Sequence, residues 1–312
     1  MLRAADGWLG VNLARPSDVE LIPAWLGEPE PELAEAIACR RVGELVEQGR
    51  LLGLPVSNLS KRDNQREPFV LTGQARPGSW RLRRPLVIDL SSLWAGPLCG
   101  HLLTLLGARV VKVESVHRPD GARSGARGFY DLLHAGQEAV AVDFGTAAGR
   151  AALAGLVGAA DVVIEGSRPR ALRQLGIEAE DVLAHARDKV WVSITAYGRT
   201  GPWSNAVGFG DDTALAAGLL AFDPETGTPA PCGDAIADPV TGVNAALVTV
   251  ACLLAGGTWL ADLALREQVA ATLIESDPEA VTPQQPAVRQ PAGVAPKLGA
   301  DTARVLAELG LS

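Results

Sequence analysis

The sequence predicts an α/β protein: a doubly wound, mostly parallel sheet of Rossmann-like form with a small α+β domain at its N-terminus. Two observations carry this prediction. From Pro85 onward, short β-rich apolar runs alternate with helical patterns, the mark of buried parallel strands joined by crossover helices. Before residue 60 the chain holds a short alternating strand and then amphipathic helices. A length of 312 residues is enough to bury one large core and one smaller one.

The elements follow in order. DGWLGVNL, 6–13, alternates as a strand, and helical periodicity runs through SDVELIPAWLG and PELAEAIACRRVGELVEQGRLLG, where Gly53 closes the last helix before the strand-like LPVSNL. Residues 60–84 are polar, with Gly, Pro and several arginines, and read as a connection holding one short strand. PLVIDLSS, RVVKVES, EAVAVDF, DVVIEGS and KVWVSITAYG are buried strands, with AGPLCGHLLTLLGA and TAAGRAALAGLVGAA as helices between them. The nearly uncharged run Ala245–Leu260 falls short of the roughly 20 residues that span a bilayer, so a helix buried on all sides is expected there. Residues 275–297 are a Pro-rich linker, and DTARVLAELGL closes the chain as an amphipathic helix with Asp301 or Thr302 at its start. The resulting domains are 1–75 (small α+β), 76–275 (large, Rossmann-like) and 276–312 (linker and helix).

Composition excludes several functions. A formal net charge of −8 leaves no basic footprint for nucleic acid. Cys39, Cys99, Cys232 and Cys252 are scattered and the four histidines share no context, so neither a metal site nor a disulfide framework is expected. The first residues carry no basic region followed by an apolar core, so a cytoplasmic protein with no membrane partner is the expectation.

Three segments carry chemistry. After the first large-domain strand stands Ala95-Gly96-Pro97-Leu98-Cys99-Gly100, and the second strand ends in Glu114; the glycine spacing is wrong for a dinucleotide fold but leaves room for a phosphate or adenine near the helix mouth. No G-x-S-x-G elbow marks a serine hydrolase, and Ser91 and Ser92 read as turn or capping residues. The glycine-bracketed loop RTGPWSNAVGFGDDTALAAG follows a strand end, where α/β folds bind ligands; Asp211 and Asp212 read as caps of a helix beginning at Thr213, and Trp203 as a cover for the loop. In APCGDAIADPVTG, Asp238 before Pro239 reads as an N-cap, ionised in the field of the helix dipole.

PLVIDLSSLWAGPLCGHLLTLLGARVVKVES, EAVAVDF, ADVVIEGSRPRALRQLGI, VWVSITAYGRTGPWSNAVGFG, IADPVTG and APKLGADTARVLAELGL together resemble the class III CoA-transferases, the family of formyl-CoA and carnitine CoA-transferases that also includes the α-methylacyl-CoA racemases. The resemblance implies that Asp238, in an I-A-D-x-x-x-G context, attacks an acyl-CoA thioester and then carries CoA as an aspartyl thioester to a carboxylic acid. It implies no permanently bound cofactor. CoA would lie along Ser92, Trp94, Ala95, Gly96, Pro97, Glu114, Arg168, Arg170 and Arg173, with a substrate loop at Tyr197, Gly198, Phe209 and Gly210. The racemases carry a histidine where Phe209 stands, which points away from α-proton transfer. The family's basic run before the third strand is replaced by His134-Ala135-Gly136-Gln137-Glu138, and Gln174 stands where a further basic residue is usual. The small domain, which follows the large one in the family, here precedes it, and the family's mobile glycine loop has no counterpart. The resemblance further implies a homodimer, or a hetero-oligomer with a paralogous subunit. Alongside the transferase stand two other readings, a non-catalytic partner subunit and an acyl-CoA racemase, isomerase or lyase.

Overall fold

The computed structural model describes residues 1–59, 67–78, 84–273, 285 and 287–311. Much of the expected connection over 60–84 and of the Pro-rich linker lies outside the described residues. Along the chain run β1 (Leu2–Arg3), β2 (Trp8–Val11), α1 (Pro16–Glu20), α2 (Ile22–Leu26), α3 (Leu33–Ala38), α4 (Val42–Leu52) and β3 (Val56–Asn58). Then come β4 (Phe69–Ala75), β5 (Leu86–Asp89), α5 (Ala95–Leu105), β6 (Arg109–Ser115), α6 (Arg127–His134), β7 (Glu138–Val142), α7 (Ala147–Ala159), β8 (Val162–Glu165), α8 (Pro169–Gln174), α9 (Ala179–Ala184) and β9 (Lys189–Thr195). The last are α10 (Gly210–Ala217), β10 (Leu220–Phe222), β11 (Pro229–Pro231), α11 (Ala237–Ala255), β12 (Gly257–Ala264), α12 (Leu265–Thr272) and α13 (Thr302–Glu308).

These elements form two compact units, each assembled from separated stretches. One comprises Met1–Phe69, Thr195–Thr241 and Leu263–Leu273; the other Val70–Ile194, Gly242–Asp262 and Ile274–Ser312. Contiguous boundaries drawn after residues 75 and 275 do not describe this arrangement, because packing between remote segments, rather than nearness in sequence, closes each unit.

In the first unit β1, β2 and β3 make an antiparallel sheet. Helix α4 lies close on β3 because Gly49 has no side chain: a Cβ there would come within 2.6 Å of Val56 Cγ2. Its end is the left-handed Gly53 at φ 80°, as expected. Leu9, Trp25, Ile37, Leu45, Leu54 and Val56 fill the core, and the Trp25 indole donates to the Leu45 carbonyl at 2.9 Å. The hairpin β10–β11, unforeseen in the sequence, belongs here too.

The second unit is built on a seven-stranded sheet in the order β4-β12-β9-β8-β5-β6-β7. The pairs β9–β8, β8–β5, β5–β6 and β6–β7 are parallel, and all five strands stand where the apolar runs place them. Alternation along β5 and β6 separates the sheet's faces. Ile88, Val111 and Val113 pack with Leu153 and Leu156 of α7 and Trp191 of β9 on one side. On the other, Gly100 of α5 lies over Val110 and Asp89. The sheet is doubly wound, as predicted. Its β7 edge is covered: Asp301 Oδ2 accepts from Ala139 N–H at 2.9 Å and Thr302 Oγ1 from Ala141 N–H at 3.0 Å, so the start of α13 occupies ladder positions that a further strand would take.

The apolar run over 245–260 behaves differently from the expectation. Helix α11 stops at Ala255, Gly256 and Gly257 take left-handed φ values of 64° and 84°, and β12 begins at once. A Cβ on Gly257 would fall 2.0 Å from the Gln74 carbonyl, so the second glycine is what lets the chain enter the sheet beside β4. Nor is α11 buried on all sides: Val243, Leu247 and Leu254 are 52%, 66% and 68% exposed. Its opposite face is tight, since a Cβ on Gly242 would meet the Ala95 carbonyl at 2.6 Å and Leu98 Cβ at 2.9 Å. Gly242→Ala is therefore expected to cost about 1–3 kcal/mol by forcing α11 off α5, read as a lower urea midpoint with unchanged slope.

Candidate active site

Asp238 lies in the first turn of α11, one residue inside the helix rather than at its cap, because the helix already starts at Ala237. The turn ahead of it is tied down. Ala235 adopts a positive φ of 45°, its N–H donates to Asp211 Oδ1 at 2.7 Å, and its carbonyl accepts from Asp238 N–H at 2.9 Å. The Asp238 carboxylate rests on Gly210, the first residue of α10: a Cβ there would sit 2.2 Å from Asp238 Oδ2 and 2.3 Å from the Ala235 carbonyl oxygen. Any side chain at 210 would displace the carboxylate. The carboxylate thus lies by the N-terminal turns of α10 and α11, whose helix dipoles present partial positive charge there.

Helix α10 begins at Gly210, three residues ahead of the expected Thr213, and this changes the part its acids play. Asp212 is fully enclosed; Oδ1 accepts from Phe209 N–H at 2.7 Å, while among the described residues Oδ2 meets no donor. That oxygen faces Gly208, where a Cβ would lie 3.0 Å away. Burial pushes the Asp212 carboxyl up to about 7, and the charges of Asp211 and Asp238 add to the rise. Two carboxyl groups thus abut the Gly208-Phe209-Gly210 segment, and the buried one is held largely neutral below pH 7. Tyr197 and Gly198 are buried in the same unit, Gly198 at φ 93° with its N–H on Thr195 Oγ1 at 2.8 Å. Burial raises the Tyr197 hydroxyl to about 12, with Asp212 adding and Arg50 opposing.

The residues expected to hold CoA belong to the second unit. Ala95, Gly96 and Pro97 are buried in the first turn of α5, and a Cβ on Gly96 would fall 2.0 Å from Ser91 Oγ, so the glycine serves close packing. Ser92 is exposed, and Trp94 meets Phe129 edge-on at 5.1 Å between ring centres. Glu114 is buried and internally engaged: it accepts from Asp120 N–H at 2.8 Å and from Arg123 Nε at 2.9 Å. Arg168 is half-buried ahead of α8, Arg170 is exposed, and Arg173 pairs with Glu178 at 2.9 Å. Of the segment replacing the family's basic run, His134 and Gln137 are buried against each other at 2.9 Å, and Glu138 pairs with Arg109 and Arg304 at 2.8 Å each.

A buried ionic cluster beneath the Leu90–Trp94 loop was not foreseen. Lys112 of β6, 1% exposed, lies 3.0 Å from Asp120 and 3.8 Å from Asp89 and donates to the Ser91 carbonyl. Burial opposes its charge, yet Asp89, Asp120 and Glu114 hold its pKa above the ordinary lysine value. Asp120 also accepts from Leu93 N–H at 3.0 Å, which fixes Leu93 at a left-handed φ of 71°. The signal available in RVVKVES was a lysine at the centre of an otherwise apolar buried strand.

Residues 82–301 match CoA-transferase family III. The chain belongs to this family. Curated relatives of the family III chain include the succinyl-CoA–D-citramalate CoA-transferase of Chloroflexus aurantiacus, 30% identical over 218 residues, covering 64% of this chain and 54% of that protein. The succinate–glutarate CoA-transferase of Agrobacterium fabrum is 28% identical over 221 residues, covering 65% of this chain and 55% of that protein. Among solved structures, a CAIB/BAIF family protein from Brucella suis superposes with a TM-score of 0.57 at 28% identity, covering 64% of this chain and 56% of that one. The chain thus spans about half the length of the curated relatives it matches.

The Asp212 carboxyl carries a test of this geometry. Its folded pKa of about 7 lies above the unfolded value of about 3.9, so the folded state holds the extra proton between these pH values. Its contribution to stability is complete below about pH 4 and is lost as pH rises through 7, at up to about 1.4 kcal/mol per pH unit. Asp212→Asn mimics the neutral form, so its stability relative to the parent should rise across this window. Urea melts at pH 4.5, 6 and 7.5 check this, and parallel profiles would refute it.

Proposed function

We propose that the protein transfers CoA between an acyl-CoA and a carboxylic acid, with Asp238 as nucleophile. The observation that carries this reading is the Asp238 carboxylate seated on Gly210 at two helix N-termini, in a chain of CoA-transferase family III. Asp238 attacks the thioester carbonyl, the C–S bond breaks, and a mixed anhydride and CoA thiolate result. The thiolate then attacks the Asp238 carbonyl of the anhydride, giving the aspartyl-CoA thioester and releasing the donor acid. Attack by the acceptor carboxylate and return of the thiolate to the acceptor's acyl carbon regenerate the free carboxylate, with no net proton change. Phe209 offers no base, which supports exchange over α-proton transfer. The relatives' names support dicarboxylic acids as acceptors.

Incubation of the full chain with succinyl-CoA followed by hydroxylamine should convert Asp238 to a hydroxamate detectable by peptide mass spectrometry. Asp238→Asn should abolish the label and lower transfer at least about a thousandfold. Turnover that needs Asp238 while no adduct ever forms would favour an isomerase or lyase instead. Binding of CoA without turnover or label would favour a non-catalytic partner.

The exposed Val243, Leu247 and Leu254 stripe of α11 supports association with another chain, a second copy or a paralogous subunit. Leu247→Lys is expected to shift the protein to monomer in sedimentation velocity without altering its melting curve below the association concentration. A parent chain that is already monomeric at high micromolar concentration contradicts association with its own copy.

A further inference from the structure

The loop that ends in Phe209 and Gly210 begins with a second, cationic feature. Arg50, in the last turn of α4, places its guanidinium 4.7 Å from the ring centre of Tyr197 and 4.2 Å from that of Trp203. Stacking of this kind engages the faces of the guanidinium plane and leaves its in-plane N–H donors to other partners. The Arg50 Nε is buried and, among the described residues, meets no acceptor. Other arginines of the same unit are neutralised: Arg15 by Asp18 at 2.5 Å, Arg40 by Glu28 at 2.9 Å, Arg41 by Asp6 at 3.3 Å and Arg266 by Glu267 at 2.6 Å. No described carboxylate pairs with Arg50.

The surroundings connect this guanidinium to the reacting carboxylate. Tyr197 feels the charges of both Arg50 and Asp212, and Asp212 in turn feels Asp238. From the same helix end, Arg15 donates to the Gly53 carbonyl at 3.1 Å and lies over the Phe209 ring at 5.7 Å. Trp203 is 39% exposed, so the stack is open to solvent on one side. A stacked guanidinium whose buried Nε meets no acceptor among the described residues matches the planar fork of a carboxylate.

We propose that Arg50, held by Tyr197 and Trp203, binds the carboxylate of the acid substrate that is not exchanged, so that the site selects dicarboxylic over monocarboxylic acids. The assignment rests on the transferase reading of Asp238. One carboxylate of the acid would react at Asp238, and the other would be fixed by the Arg50 fork. Trp203, a loop cover by sequence, becomes part of the selecting surface.

Calorimetric titration of the full chain with glutarate and with butyrate tests the proposal independently of turnover. Glutarate should bind at least about tenfold more tightly than butyrate, and Arg50→Gln should remove the difference while leaving the weak butyrate affinity unchanged. In transfer assays the same variant should raise KM for glutarate by about tenfold or more, spare kcat, and still give the hydroxylamine-trapped Asp238 adduct with butyryl-CoA as donor. If Arg50→Gln fails to fold, Arg50→Lys and Trp203→Leu, which keep the charge and the fork respectively, should each weaken glutarate binding selectively. Equal loss for both acids, or no change for glutarate, overturns the role of Arg50. An absent adduct alongside Arg50-dependent glutarate binding would instead overturn the transferase reading and leave the anion site standing.

Discussion

The contact between the Asp238 carboxylate and the bare backbone of Gly210 is the constraint on which the candidate site depends. Asp238 Oδ2 and the Ala235 carbonyl both lie closer to where a Cβ would be than any side chain tolerates, so the start of α10 and the turn before α11 are fitted to each other across one glycine. Asp211 locks the fit by holding Ala235 N–H, and Asp212 holds Phe209 N–H from the other side. Because burial raises the Asp212 carboxyl to about 7, below that pH a second carboxyl can stand beside Asp238 without adding a full charge. The arrangement is a seat for the Asp238 carboxylate in which Gly210, Asp211 and Asp212 each have a backbone or electrostatic task.

The second unit uses burial of charge for a different end. Lys112, Asp89 and Asp120 are removed from water and compensate one another, and the loop Leu90–Trp94 is fastened to them through Ser91 and Leu93. Such clusters rarely add much net stability, but loss of one member leaves an uncompensated charge, so they enforce one conformation. Here the conformation enforced is that of the turn leading into α5. The exposed Ser92 and half-buried Trp94 are presented on a backbone that cannot relax.

The first unit holds both the Asp238 carboxylate and the Arg50 guanidinium, which no described carboxylate pairs. In the transferase reading, the negative Asp238 and the positive Arg50 divide the two ends of one acid between them, and the aromatic rings of Tyr197 and Trp203 set the guanidinium plane. Arginine stacked on rings surrenders little conformational freedom on binding, which makes it a discriminating rather than an adhesive group. The loop Arg199–Gly208 is then the element whose composition tunes which acid fits.

Much of the fold was legible because its physics is local. Five parallel strands announce themselves as β-branched apolar runs, Gly53 ends its helix for want of a Cβ penalty, and Asp301 and Thr302 mark the start of the last helix. Asp238 and its Pro239 were also visible, as was the absence of a base at Phe209. What the chain alone could not reveal are consequences of remote approach. Strand β12 is hidden inside an apolar run until Gln74 packs on Gly257, the register of Asp238 within α11 follows from the turn that Asp211 pins, and the neutral state of Asp212 is a property of its burial. Arg50 reads in sequence as one more basic residue in the last turn of an amphipathic helix. Only the fold brings residues 197 and 203 against it with no described carboxylate paired to it, the arrangement on which the proposed anion site rests.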